Sequence, residues 1–427
     1  MSSVNQQPPP RTRVGTKGFA ALNSPNYRSF WLSSFGQSAA QGMQTLTISW
    51  LVLELTGSIS QFGFSVFLQG VPMSLMMIFG GVLADRVNRI KLIMVSQTIN
   101  MGLLFMLGIL ALTGHIQVWH VYAVTPLIGA FQGVVRPSSA SAISDLVERK
   151  DIMNAIALNS TLMNITQIAG PSAAGFIISG FGVGPALMIN ASFYIIGILW
   201  LSRIRDFPPL PRIHRVNPMV DLLNGIRYVR DVPPVFAIIT IGCIMGLFAH
   251  PAQQMVPALV REDFNLGATT AGFLLMSAGI GALIGNMALA SFGDTKGKNF
   301  MLLFSGALYG AAILGLAASP WYAGSMVALF FMGMGRSVFV SIGNALLQLI
   351  IPRDYMGKSL AWWNVGGAFT FVGAMPLGFL ADAIGLRLGI AIWVLVYIAT
   401  LIVVGVVRPA IRKIEANPQS VPAPVRV

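Results

Sequence analysis

The sequence predicts an all-α membrane protein with twelve transmembrane helices in two six-helix bundles. Hydrophobic residues make up 55% of the 427 residues and charged residues only 10%, whereas a soluble protein carries about 25% charged residues. The mean hydropathy is +0.73. Apolar runs of about twenty residues, the length needed to cross a bilayer, recur along the chain, and the second half repeats features of the first.

Twelve apolar runs follow one another, separated by short polar or Gly- and Pro-containing segments. They cover roughly residues 29–54, 61–84, 90–113, 118–143, 154–180, 184–203, 234–259, 268–292, 299–318, 321–350, 360–381 and 386–407. The only cysteine, Cys243, lies in the seventh run, so an intramolecular disulfide is excluded.

The basic residues are distributed unequally between the two sides of the predicted membrane. With the N-terminus inside, all but four of the 27 Lys and Arg residues fall in the tails and in the loops of that side. Arg261 and Arg387 lie on the opposite side, and Arg136 and Arg336 lie within spans. This pattern predicts a multi-pass protein of the plasma (inner) membrane with both termini in the cytoplasm. The net charge of +13 then reflects topology and contact with anionic membrane lipids, and does not indicate nucleic acid.

The two halves of the chain resemble each other. LADRVNRIKL at 83–92 aligns with FGDTKGKNFM at 292–301, and GPSAAGF at 170–176 resembles AMPLGF at 374–379. Such a repeat predicts two parallel six-helix units. The predicted organisation is a disordered tail (1–28), a first bundle (29–204), a cytoplasmic linker with an amphipathic helix (205–233), a second bundle (234–408) and a second tail (409–427).

The charged stretch GGVLADRVNRIK at 80–91 carries a family resemblance. The loop between helices two and three of the major facilitator superfamily reads G-x-x-x-D-R/K-x-G-R-R/K, and Gly81, Asp85, Arg86 and Arg89 match it. Asn88 stands in place of the usual Gly; Asn tolerates left-handed backbone, so the tight turn is expected to be kept. The chain thus resembles this superfamily over about 29–408, which implies the major facilitator fold.

The resemblance also implies a latch at the cytoplasmic side. Asp85 would face the N-terminal end of helix eleven, where the helix dipole and free amides stabilise a carboxylate. Arg89 would pair with Asp85 and with Asp145 at the end of helix four. The alternative is a group of interfacial charges that end the helix and only satisfy the charge rule.

Helix five contains a second match. The antiporter signature of the family reads G-x-x-x-G-P-x-x-G-G, and here Thr166, Gly170, Pro171, Ala174 and Gly175 occupy the named positions. The resemblance favours export over uptake. Small residues at this spacing also occur in ordinary helix packing, which is the alternative.

WLVLELTGS at 50–58 and SASAISDLVERKD at 139–151 are similar to the branch that contains macrolide efflux proteins, siderophore exporters and lysophospholipid flippases. The resulting hypothesis is a monomeric secondary transporter that exports an amphipathic small molecule, drug-like or siderophore-like, by alternating access coupled to protons. A lysophospholipid flippase and a non-transporting scaffold or sensor are the alternatives. No GxxxxGK[ST] loop is present, and four scattered His with one Cys predict neither an enzyme nor a metal or cofactor site.

In this superfamily, helices one, four, seven and ten surround the central cavity, so their polar residues are the cavity candidates. These are Gln37, Gln41, Gln44, Arg136, His250, Gln253, Arg336 and Asn344. Polar groups facing lipid are costly, which favours an inward orientation. Hydrogen bonding between helices is the alternative for the amides, and extension of the side chain to the membrane interface is the alternative for the arginines.

The sequence leaves two candidates for the residue that would carry a proton. The 14 acids include none in the middle of a span. The helix-four pattern R-x-x-Q-G of the family keeps Gln132 and Gly133, but Gly129 replaces the Arg. Glu54 and His250 are therefore the remaining candidates for proton coupling, although a single His in an apolar helix is often structural.

Overall fold

The computed structural model describes residues 19–204, 227–291 and 297–407. Within these ranges the chain forms twelve long helices. They are α1 (Pro25–Thr56), α2 (Ile59–Arg86), α3 (Arg89–Leu112), α4 (Val118–Leu146), α5 (Ile152–Phe181), α6 (Val183–Leu201), α7 (Pro233–Asp263), α8 (Ala268–Ser291), α9 (Lys298–Ala318), α10 (Tyr322–Ile350), α11 (Arg353–Ile384) and α12 (Leu386–Val407).

Nine helices in the described ranges are long and apolar enough to cross a membrane; α1, α2 and α5 do not reach that threshold along their length. All three pack against other helices on several sides, and α1 in particular carries several Ser and Gln residues among its apolar ones. The multi-pass character of the protein is confirmed, and the count of twelve spans stays a prediction.

The helices pack in a pattern that repeats after six elements. In the first half, α1 packs against α5 and α6, α2 against α4, and α3 against α4 and α6. In the second half, α7 packs against α11 and α12, α8 against α10, and α9 against α10 and α12. The predicted pair of six-helix bundles is therefore confirmed. The bundles meet where α2 contacts α11 and where α5 contacts α8.

The turn between α2 and α3 differs from the expectation. Asn88 has φ −59°, so no left-handed residue is needed there. Its side chain instead accepts a hydrogen bond from the backbone N–H of Lys91 (3.1 Å) and caps the start of α3. The physical reason is that an Asn side chain can satisfy a free helix N–H, which the usual Gly cannot.

The predicted tails and linker fall largely outside the described residues. α1 begins at Pro25, with Ser24 as its N-cap, slightly before the predicted start. Of the predicted linker helix only its end is described, where residues 227–231 are helical. There the ring of Tyr228 stacks on that of Tyr355 at 4.5 Å, which attaches this segment to α11. The domain boundaries themselves stay predictions.

Candidate functional site

The centre of the second bundle holds a cluster of polar side chains from α7, α9, α10 and α11. Nη1 of Arg336 lies 3.4 Å from Nε2 of His250. Nδ1 of His250 lies 3.1 Å from Oγ1 of Thr370, and the His250 ring meets the ring of Tyr309 edge to face at 5.8 Å. The structure thus brings together two residues that the sequence predicted separately as cavity candidates.

Two interruptions of helix α7 position His250. Helix α7 is interrupted at Ala249 (φ −115°, ψ −45°) and again at Met255, next to Pro251 and Pro257. Pro has no N–H and cannot continue the hydrogen-bond ladder. Backbone groups freed at membrane depth are tolerated where they are enclosed by protein or line a cavity. The break therefore identifies this part of α7 as the inner wall of the bundle.

The hydrogen bonds set the form of the imidazole. Nε2 of His250 faces the guanidinium of Arg336, which can only donate. Nε2 must therefore accept, and Nδ1–H donates to the hydroxyl of Thr370. This is the neutral Nδ1–H tautomer, assigned from the network. Protonating Nε2 would place two cations side by side, so Arg336 would have to move.

A matching polar cluster lies inside the first bundle. Nε2 of Gln132 donates to Oε1 of Gln44 at 2.9 Å. The orientation of the Asn190 amide that satisfies both neighbours donates to the carbonyl of Ala40 (2.9 Å) and accepts from the N–H of Gln44 (3.2 Å). Near the same helices, Nε2 of Gln97 donates to Oε1 of Gln37 at 3.0 Å. Gln37 and Gln44 therefore make hydrogen bonds between helices of one bundle.

The two clusters occupy corresponding helices. Gln44 and Gln132 lie on α1 and α4, as His250 and Arg336 lie on α7 and α10. The alignment that pairs Asp85 with Asp294 also pairs Asn100 of α3 with Tyr309 of α9. The fully buried Tyr194 and Tyr397 lie on α6 and α12. The internal repeat thus extends to the polar core, and among the described residues the charge in this core, Arg336, lies in the second bundle.

Sequence reasoning missed the members of these clusters that lie on other helices, because only helices one, four, seven and ten were searched. A signal existed. Polar or hydroxyl-bearing residues at helical spacing within apolar runs mark the inner faces of α3 and α6. These residues are Gln97, Asn100, Asn190 and Tyr194.

The other cavity candidates are distributed differently. Arg136 is exposed and lies one turn beyond Gln132 on α4, on the face whose preceding turn contacts α1. Gln41 and Gln253 are half-buried. Nδ2 of Asn344 donates to the carbonyl of Val340 in its own helix (3.0 Å). Arg136 is therefore the most exposed of the cavity candidates.

We call the end of the bundles with the α2–α3 and α4–α5 connections the basic end, and the opposite end the distal end. At the basic end Arg89 forms an ion pair with Asp145, and both side chains are largely shielded from solvent. Arg86 is exposed. Gly81 and Asp85 lie in α2, and their side chains fall outside the described part of the chain. The cross-bundle half of the predicted latch stays a prediction.

The helix-five motif makes close contacts on two sides. A Cβ on Gly170 would lie 2.6 Å from the backbone of Gly42 in α1, and a Cβ on Gly175 would lie 2.5 Å from the carbonyl oxygen of Ala268 in α8. Next to the motif, the hydroxyl of Ser172 donates to the carbonyl of Gly272 at 3.2 Å. The motif therefore allows α5 to approach its own bundle and the opposite bundle at the same time.

The distal end is closed by contacts between the bundles. Asp382 of α11 accepts hydrogen bonds from the hydroxyl of Ser58 (2.9 Å) and from the N–H groups of Ile59 and Ser60 (both 3.0 Å) at the start of α2. A carboxylate at a helix N-terminus is stabilised by the free N–H groups and the helix dipole. Glu54 is exposed nearby, in the last turns of α1.

Comparison with known proteins identifies relatives along almost the whole chain. The enterobactin exporter EntS of Escherichia coli O1:K1 / APEC is 26% identical over 360 residues, which is 83% of this chain and 85% of that protein. The enterobactin exporter EntS of Shigella boydii serotype 18 gives the same identity and coverage.

Solved structures show the same fold. The nucleoside transporter NupG has a TM-score of 0.70 at 14% identity, covering 91% of this chain and 99% of its own. A POT family transporter in complex with a thioalcohol-conjugated peptide has a TM-score of 0.71 at 12% identity, covering 92% and 98%. The family model described as transmembrane secretion effector matches residues 16–425. The chain therefore belongs to the transmembrane secretion effector family of the major facilitator superfamily and is a transporter, not an enzyme.

Proposed function

We propose that this protein is a secondary active exporter of amphipathic small molecules that works by alternating access. The observation that carries the proposal is the closed distal end, where Asp382 caps α2 across the interface between the bundles. A transporter needs such a contact to be made in one state and broken in the other. Family membership and the similarity to an enterobactin exporter support export.

In this proposal the termini and the basic end face the cytoplasm, as the distribution of Lys and Arg predicts. The polar clusters then lie between the closed distal end and the cytoplasm. Substrate would enter from the cytoplasm or from the inner membrane leaflet, next to Arg136 and Arg336. Release would require the contacts at Asp382 to break while the predicted contacts of Asp85 with α11 and with Arg89 form.

A panel of toxic amphipathic compounds tests the proposal most directly. We expect a strain that overexpresses the protein to tolerate some members of the panel better than a deletion strain does. The purified protein in liposomes should then move the best member of the panel when a pH gradient is imposed. Absence of flux for every such compound, with lysophospholipid movement retained, would instead identify a lysophospholipid flippase.

We further propose that export is coupled to protons, with Glu54 or His250 as the carrier. Arg336 and Tyr309 both face His250. Proton binding at His250 would push the Arg336 guanidinium away. The arrangement of the polar cluster would therefore depend on whether His250 carries a proton. Glu54 is the exposed acid at the distal end of α1.

Replacing Glu54 and His250 by Gln, singly and together, should reduce the dependence of flux on the pH gradient, and the double variant should lose most of it. Gln keeps the size and polarity of both groups but binds no proton near neutral pH. Glu148→Gln, which removes an exposed acid at the basic end, is the control and should behave like wild type. A double variant with the full dependence on pH would exclude both residues as carriers.

A further inference from the structure

The second bundle holds a central positive charge with no compensating carboxylate among the described side chains. Arg336 lies fourteen residues from each end of α10, Tyr322 and Ile350. Among the residues that the structure describes, it takes part in no salt bridge. Glu262 and Asp263 lie at the end of α7 and pair with Arg261 and Arg387. A cation so deep in a membrane bundle is costly unless an anion accompanies it.

The guanidinium of Arg336 has more N–H donors than the described residues around it accept from. Its guanidinium has five N–H groups, and in the described part of the chain its one hydrogen-bond contact is Nη1 with Nε2 of His250 at 3.4 Å, which is long for a hydrogen bond. Its Nε is buried and has no hydrogen-bond partner in that part of the chain. The hydroxyl of Tyr309, a side chain with 0% exposure, also has no hydrogen-bond partner among the described residues. Buried polar groups are normally paired, so a ligand with acceptor atoms would satisfy the donors of this site.

The geometry favours a ligand over extension of the arginine to the membrane interface. The guanidinium points toward α7, where its Nη1 lies 3.4 Å from Nε2 of His250. Arg336 is only half-buried, so the side chain is not fully enclosed by protein. The adjacent break in α7 at Ala249 is enclosed by protein, where such breaks are tolerated at membrane depth. A planar guanidinium with free N–H groups pairs well with a carboxylate or a phosphate.

We infer that Arg336 binds an anionic group of the substrate, so that the exporter carries amphipathic anions. The group would be a carboxylate, phenolate, sulfonate or phosphate on an otherwise apolar molecule. His250 is a positioning residue whose neutral Nε2 orients the guanidinium. The inference rests on the proposed export function and narrows its substrate class. The anionic group can belong to a soluble molecule or to the head group of a lysophospholipid.

Binding to the full-length protein in phosphatidylcholine nanodiscs tests the inference. The probes are 1-naphthoate and 1-naphthamide, which share one ring system and differ in charge, and lysophosphatidylglycerol and lysophosphatidylcholine, which differ in head-group charge. A ligand of the folded state raises the melting temperature with its concentration. We expect naphthoate to bind about tenfold or more tightly than naphthamide, and Arg336→Gln to abolish the difference. Arg203→Gln, at the end of α6 and stacked on Trp200, is the matched control and should keep it.

The variants and lipids separate the possible results. Arg336→Lys keeps the positive charge but loses the planar set of N–H donors, so it should retain a weakened preference for naphthoate. This variant tests the inference if Arg336→Gln does not fold. An Arg336-dependent preference for lysophosphatidylglycerol alone would support the inference with a lipid as the source. Equal binding of naphthoate and naphthamide, without any lipid preference, would overturn it, as would an unchanged preference in Arg336→Gln.

Flux measurements distinguish failure of the inference from failure of the proposed function. If liposomes that contain the wild-type protein export only neutral or cationic members of the compound panel, the proposed export function is supported. The inferred anion site at Arg336 is then overturned. Liposomes that export nothing would remove the proposed function. In that case the binding difference between naphthoate and naphthamide would still decide whether Arg336 holds an anion.

Discussion

Export should fall by about tenfold or more when Gly175 is replaced by leucine, while the amount of folded protein stays near that of wild type. A Cβ at this position would already lie 2.5 Å from the carbonyl oxygen of Ala268 in the other bundle. Overpacking of this kind costs about 1–3 kcal/mol, and about 1.4 kcal/mol corresponds to a factor of ten in an equilibrium. Because the collision is between bundles, it disfavours the closed distal end without preventing either bundle from folding.

Two glycines on the same helix serve as controls for Gly175→Leu. Nothing lies within 4 Å of a Cβ on Gly180, so Gly180→Leu should transport like wild type. A Cβ on Gly170 would meet the backbone of Gly42 within the same bundle at 2.6 Å, so Gly170→Leu should lose folded protein. Size-exclusion chromatography and flux in liposomes separate these outcomes. Wild-type flux in Gly175→Leu would show that this contact does not control transport.

Arg136→Lys should lose most transport although the charge is kept. Pro137 follows Arg136 directly inside α4 and disturbs the carbonyl at Gly133, four residues before it. The exposed guanidinium can bond this region and a ligand at once with its planar set of donors, whereas an ammonium group cannot reproduce that geometry. The expected result is a loss of about tenfold, measured as flux at matched expression.

The alternative for Arg136 predicts the opposite result. If the side chain only reaches for the membrane interface, Lys can replace it and Arg136→Ala should cost little. Comparing the Lys and Ala variants therefore decides between the two readings. A fully active Lys variant would exclude Arg136 as a cavity residue with fixed geometry.

Much of the fold could be predicted from local features of the sequence. Apolar runs predicted the helices because a segment of about twenty apolar residues is stable as a helix in a membrane. The alignment of 83–92 with 292–301 predicted the repeat of the packing pattern. The prediction of a left-handed residue at Asn88 was wrong. The choice between a left-handed turn and a side-chain cap depends on backbone geometry that the motif does not specify.

The candidate site was predicted only as a set of separate residues. His250 and Arg336 are 86 residues apart, and their contact depends on how α7 and α10 pack, which periodicity does not reveal. The spacing of Gln37, Gln41 and Gln44 identified a common face of α1. It could not show that Gln37 meets Gln97 of α3 while Gln44 meets Gln132 of α4. Partners across helices were accessible only from the three-dimensional arrangement.

Reversible cross-linking of the distal end tests alternating access most directly. The N–H of Thr269 in α8 donates to the hydroxyl of Ser179 in α5 at 3.1 Å, so these two positions face each other across the bundles. In a Cys243→Ser background, Ser179→Cys and Thr269→Cys would be joined by a short cross-linker that a reductant cleaves, and flux would be measured before and after cleavage. We expect the cross-link to stop export and its cleavage to restore export, with each single-cysteine variant unaffected. Full export by the cross-linked protein would exclude alternating access, because substrate could then cross without separation of the bundles at this end.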